Sequence, residues 1–116
     1  MLVILVLGAS ASGKRAYVRS LGYTQAQMSA DWADDAPVLT DLHAIAMADP
    51  DGCAALLPKL MQKEVVVCNE VGSGVIPVER RAREGREAAG RLCILLAQHA
   101  TRVVRLVCGI PIIIKE

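Results

Sequence analysis

Leu2-Val3-Ile4-Leu5-Val6-Leu7-Gly8-Ala9-Ser10-Ala11-Ser12-Gly13-Lys14 is the stretch that decides the fold. Leu2 to Leu7 is a continuous apolar run, as expected of a central strand covered on both faces. Gly8 to Gly13 reads as a loop, and Lys14 to about Leu21 opens a helix. The spacing is G-x-x-x-x-G-K between a buried strand and a helix. Glycines there let the backbone curl until successive N–H groups point inward at an anion. The helix start adds partial positive charge, and Lys14 reaches the outer phosphates of a nucleotide. The expected nucleotide-binding residues are Gly8, Ala9, Ser10, Ala11, Ser12, Gly13, Lys14 and the adjoining Arg15. The plainer reading is a Gly-rich turn carrying a surface lysine.

Arg15 is the anomaly of the motif. Loops of this kind place Ser or Thr there, and its hydroxyl coordinates Mg²⁺. A guanidinium has no lone pair to offer and repels a cation. Phosphate binding is expected to survive this change, whereas ordinary metal-assisted phosphoryl transfer is not assured. Arg15 either replaces part of the metal's charge or points into solvent.

Further along, Gly22 to Pro37 is irregular and reads as loop or short helix, with Asp31, Asp34 and Asp35 around Trp32. Val38 to Thr40 reads as a short strand ending at Asp41. Asp49-Pro50-Asp51-Gly52 is a turn from which Asp51 can cap a helix from Cys53 to about Gln62. Glu64 to Cys68 is a second apolar strand, followed by the loop Asn69-Glu70-Val71-Gly72-Ser73-Gly74. A long helix is expected from Pro77 to about Ala100. Its apolar stripe is Ala82, Gly85, Ala89, Leu92, Cys93, Leu96 and Ala100. Val103 to Cys108 and Ile110 to Ile114 read as the last strands, and Pro111 places the final one at a sheet edge. Strands alternating with helices predict an α/β fold: P-loop NTPase-like, mostly parallel sheet flanked by helices, a single domain over 1–116. Both Gly loops then fall at carboxyl ends of strands, where such sheets bind ligands.

The 116 residues are 53% hydrophobic but 3% aromatic, with no Phe, so the core is built from Val, Ile, Leu and Ala. A net charge of +1 gives no reason to expect nucleic acid as partner. Cys53, Cys68, Cys93 and Cys108 show no C-x-x-C spacing and read as small buried hydrophobes. The apolar start has no basic flank and runs into the Gly loop, and no segment has the length of a membrane span. A cytoplasmic protein is expected.

Val66 to Lys115 carries a family resemblance. Asn69-Glu70-Val71-Gly72-x-Gly74, Val75-Ile76-Pro77, Arg80, Ala82-Arg83, Arg86, Ala89-Gly90-Arg91 and Cys108-Gly109-Ile110 follow one pattern. The chain resembles the bifunctional adenosylcobinamide kinase/adenosylcobinamide-phosphate guanylyltransferases of cobalamin biosynthesis, as a shortened and partly degenerate member. The resemblance implies GTP or ATP as cofactor, a corrinoid alcohol as partner and a homo-oligomer. The departures are specific. Arg15 replaces the family's Ser, and Leu92 is followed by Cys93-Ile94 rather than polar Asn-Gln. Gly22 to Pro37 is much shorter than the family's segment and lacks its guanylylated histidine. That role is carried onto neither His43 nor His99.

Lys14, Asp41 and Glu70 are the catalytic candidates. Asp41 is an acid near a metal, or a helix N-cap or loop acid. Glu70 contacts metal-bound water or a substrate hydroxyl, or it braces its loop together with Asn69. Asn69, Gly72, Gly74, Arg80, Arg83 and Arg91 are candidate substrate or interface residues. The arginines equally suit a solvated helix face paired with Glu79, Glu84 and Glu87. His43 reads as structural, and Trp32 lies over a base or seals its loop. The expected function is phosphoryl transfer from ATP or GTP to an alcohol; the alternative is a non-catalytic nucleotide- or phosphate-binding relative acting through assembly.

Overall fold

The computed structural model of the chain describes residues 3–9, 12–69 and 79–116. In chain order the elements are β1 (Ile4–Gly8), α1 (Lys14–Ser20), β2 (Met28–Ser29), β3 (Val38–Leu39) and α2 (Leu42–Ala48). Then come α3 (Leu57–Leu60), β4 (Val65–Asn69), α4 (Arg80–His99), β5 (Arg102–Val107) and β6 (Ile110–Lys115). The strands form one sheet in the order β2-β3-β4-β1-β5-β6. Every pairing is parallel except β5–β6, so this is the mostly parallel α/β sheet that the sequence predicts.

The apolar run of β1 is explained by its position. Alternate side chains of a strand face opposite ways, and helices cover both sides. Val3 and Leu5 join Leu39, Val66 and Cys68 beneath α2 and α4. Val6 joins Val38, Val65, Val67 and Val104 against Val18 of α1. On α4, Gly85, Ala88, Ala89, Leu92 and Leu96 are buried, so the predicted stripe faces the sheet, with Ala82 and Cys93 half-buried at its margin. At Gly85 α2 passes close to α4: a methyl added there would lie 2.9 Å from Met47 Cα.

Several local expectations need correction. Helix α2 is absent from the sequence reading; seven residues bury only Leu42 and Ala46, too few to show a period. The helix expected from Cys53 to Gln62 is instead a 3₁₀ turn, Cys53–Leu56, followed by α3, with proline in its first turn. Asp51 does not cap it. The Asp49 carboxylate accepts the Gly52 N–H at 3.1 Å instead. The Gly22–Pro37 segment holds a 3₁₀ turn, Gln25–Gln27, and also the short strand β2. The start of the long helix near Pro77 lies outside the described residues.

Strand β5 stops at Val107, one residue short of expectation, because Cys108 (φ 50°) and Gly109 (φ 78°) form a two-residue hairpin turn. Cys108 is therefore exposed rather than buried, whereas Cys53 and Cys68 are buried as expected. The turn reaches back to the loop after β1, where the Gly109 N–H donates to the Ser12 carbonyl at 3.0 Å. Strand β6 is the sheet edge, with Pro111 opposite Leu106, and all six of its residues are exposed. Ile110, Ile112, Ile113 and Ile114 are 64%, 47%, 44% and 59% exposed. Among the described residues no helix is long and apolar enough to cross a membrane.

Candidate phosphate-binding site

Parallel strands β1, β3 and β4 end on the same side of the sheet, and a cavity of about 460 Å³ opens there beside the first turn of α1. Its lining includes Ser12, Lys14, Arg15, Arg19, Asp41 and Asn69. The chain enters α1 through Gly13, whose φ of 93° suits glycine. The loop is tightened by the Ser12 N–H, which donates to the Ala9 carbonyl at 3.2 Å. Ser12 is only 8% exposed, and among the described residues its Oγ has no hydrogen-bond partner.

Lys14 Nζ donates across the loop to the Ala9 carbonyl at 2.6 Å. Burial pulls the Lys14 pKa below its ordinary value, and the nearby Asp41 opposes that shift. Arg15 reaches from α1 to Asp41, with 3.2 Å between guanidinium and carboxylate. The same carboxylate oxygen accepts the Thr40 hydroxyl at 3.2 Å. Asp41 sits at the N-cap position of α2 with φ 58°, but its side chain makes no cap bond. Asp41 is thus at a helix N-cap without the capping bond, and its half-exposed carboxylate also lines the cavity.

His43, in the first turn of α2, accepts the Asn69 N–H on Nδ1 at 3.2 Å and so fixes the end of β4. Burial, helped by Lys14 and opposed by Asp41, lowers its pKa and keeps the ring neutral for that role. Deeper in, the Cys68 thiol donates to the Asn69 carbonyl at 3.2 Å. The neighbouring Cys93 thiol, and then burial, push its pKa far up, so Cys68 presents a thiol rather than a thiolate.

The structure thus brings together Ser12, Gly13, Lys14, Arg15, Asp41 and Asn69, with Gly8 and Ala9 leading into the loop. Ser10, Ala11, Glu70, Gly72 and Gly74 lie outside the described residues. Arg80, Arg83 and Arg91 are on α4 and do not line this cavity. Arg80 pairs with Glu84 at 2.9 Å and Arg91 with Glu87 at 4.0 Å on the exposed helix face. Trp32 packs on the margin of the core under the Lys59 ammonium, 5.1 Å from the ring centroid, and lines a separate hollow. Arg19 was missed by sequence reasoning. Its signal was its place four residues after Arg15, one turn along the same helix face.

A central β–loop–α unit in a parallel sheet, with its cavity at the carboxyl ends of the strands, defines a P-loop NTPase-like α/β protein. Residues 30–114 match the family model described as cobinamide kinase / cobinamide phosphate guanyltransferase, and the chain belongs to that family. The match takes in β3 through Asp41, Asn69 and most of β6, and leaves out the 8–15 loop. A 53-residue segment is 47% identical to the bifunctional adenosylcobalamin biosynthesis protein CobU of Escherichia coli K12. It is equally similar to the protein of that name from Salmonella typhimurium LT2. The segment is 46% of this chain and 29% of each relative, so the match spans less than a third of their length.

Proposed function

We propose that the chain binds the polyphosphate of ATP or GTP on the 8–15 loop and passes a phosphoryl group to an alcohol. The family's description suggests cobinamide, a corrinoid alcohol, as the acceptor, and a cytosolic protein remains part of this reading. Such transfer is mostly positioning and charge stabilisation. Loop N–H groups and Lys14 hold the outer phosphates, while Asp41 and Glu70 are the acids available to a substrate hydroxyl. Transfer of a guanylyl group through a covalent histidine is not part of this reading. His43 is committed to the Asn69 N–H, and Gly22 to Pro37 contains no histidine.

The observation that carries the proposal is Ser12 beside Lys14 on the cavity wall, its buried Oγ turned onto Gly8 without a hydrogen-bond partner among the described residues. A buried hydroxyl without a partner is costly, and turning the Ser12 side chain into the cavity gives it a phosphate oxygen. One observation favours the second reading, a non-catalytic nucleotide or phosphate binder: Asp41 is already engaged by Arg15. A homo-oligomer built through β6 fits either reading, because an apolar open edge is a template for another strand. Titration with ATP and GTP, alongside transfer of label from γ-labelled nucleotide to cobinamide, separates the outcomes. Binding with transfer supports the kinase, binding without transfer supports the second reading, and no binding refutes both.

A further inference from the structure

The position that carries a metal-binding hydroxyl in loops of this kind is occupied here by a side chain that cannot bind metal. The acid that a cation would share is also engaged. Asp41 Oδ2 takes the Arg15 guanidinium at 3.2 Å and the Thr40 hydroxyl at 3.2 Å. Asp41 is the one carboxylate among the described residues lining the cavity. These residues do not fit a divalent cation. They do fit an anion: Lys14, Arg15 and Arg19 put three cationic side chains around that single carboxylate.

Geometry makes the Arg15–Asp41 pair exchangeable. Its side chains are 55% and 38% exposed, and ion pairs this open are held weakly. A phosphate offers the guanidinium a bidentate, charge-assisted partner in place of a solvated one. Arg19, one turn further along α1, lines the same cavity and lies on the same helix face. The Ser12 hydroxyl, turned onto Gly8 and without a partner among the described residues, gains one when its side chain turns to an anion in the cavity.

We infer that this chain takes its nucleoside polyphosphate as the metal-free anion, the Arg15 guanidinium leaving Asp41 for the outer phosphates that a divalent ion would otherwise neutralise. The inference rests on the polyphosphate reading of the cavity, and it makes Arg15 a specificity residue for the ionic form of the ligand. It also assigns Asp41 a role opposite to that of a metal ligand. The carboxylate parks the guanidinium until a phosphate arrives.

The test is calorimetric titration of the full chain with GTP, and separately with inorganic tripolyphosphate, in EDTA and in excess Mg²⁺. The wild type is expected to bind about equally well in both buffers, or better in EDTA. Arg15→Ser is expected to lose about tenfold or more in EDTA, the value of a charge-assisted bond, and to recover affinity when Mg²⁺ is added. Asp41→Asn frees the guanidinium and is expected to tighten binding in EDTA by about two- to fivefold. Both substitutions fall on half-exposed side chains, and circular dichroism verifies that each variant is folded. Wild-type binding that requires Mg²⁺ overturns the inference while leaving the nucleotide-binding reading intact. Weaker binding by Asp41→Asn, or unchanged EDTA binding by Arg15→Ser, overturns it too. No binding in either buffer refutes the underlying reading itself.

Discussion

Replacing Ser12 with alanine removes a single oxygen, yet stability and ligand binding are expected to move in opposite directions. The side chain is 8% exposed and its hydroxyl has no partner among the described residues. Leaving such a group unpaired costs about 1–3 kcal/mol, and alanine removes that cost. Part of the gain is lost to packing. The oxygen fills the space over Gly8, where an added Cβ would meet it at 2.3 Å, so its removal leaves a small void. A net stabilisation of about 1 kcal/mol remains. Unfolding entropy of roughly 2.1 cal/mol/K per residue, taken over the 116 residues, converts this to a rise in Tm of about 4 °C. Binding falls because a charge-assisted bond to phosphate disappears, at about 1.5 kcal/mol or roughly tenfold in Kd. Differential scanning calorimetry without ligand reads the first effect, and titration with tripolyphosphate reads the second. If the variant melts lower than the wild type, or binds as tightly, the hydroxyl is not the unsatisfied group that the phosphate completes.

Lys14→Ala is expected to abolish GTP and ATP binding with the melting temperature nearly unchanged, because among the described residues Nζ bonds the Ala9 carbonyl of its own loop; equal affinity would contradict the assignment. Light scattering over a range of concentrations is expected to show a mass above 12.4 kDa, falling to that value when Ile112 and Ile114 are both changed to Lys. A wild-type mass of 12.4 kDa throughout counts against pairing through β6. His43 gives a pH signature. Its folded pKa lies below 6.5, so the unfolded chain takes up the proton first. Stability is full above about pH 6.5 and drops as pH falls through the window below it, by at most about 1.4 kcal/mol per pH unit. Urea midpoints taken between about pH 7.5 and 5.5 measure this, and His43→Gln is expected to flatten the slope; an unchanged slope refutes it.

What the sequence made legible had a strong local cause. The run into Gly8 declared a buried strand leading into a loop, twenty residues of α4 gave its stripe many chances to repeat, and Pro111 marked the edge. What escaped had weak or non-local causes. Helix α2 is seven residues long, and its start at Asp41, held at φ 58°, looks in sequence like the end of a strand. The Cys108 position continued an apolar run, and only the hairpin's need for two positive φ values turned it outward. The Arg15–Asp41 pair joins residues 26 apart, a distance no local pattern spans. Arg15 was visible as an oddity; that it holds an acid required the fold.

The hairpin turn gives the sheet edge a line to the phosphate loop. The Gly109 N–H ends on the Ser12 carbonyl, and a methyl at Gly13 would come within 3.3 Å of Gly109 Cα. Strand β6 and the candidate anion site therefore share one peptide contact. By reciprocity, a partner that alters anion affinity by some factor has its own affinity altered by the same factor.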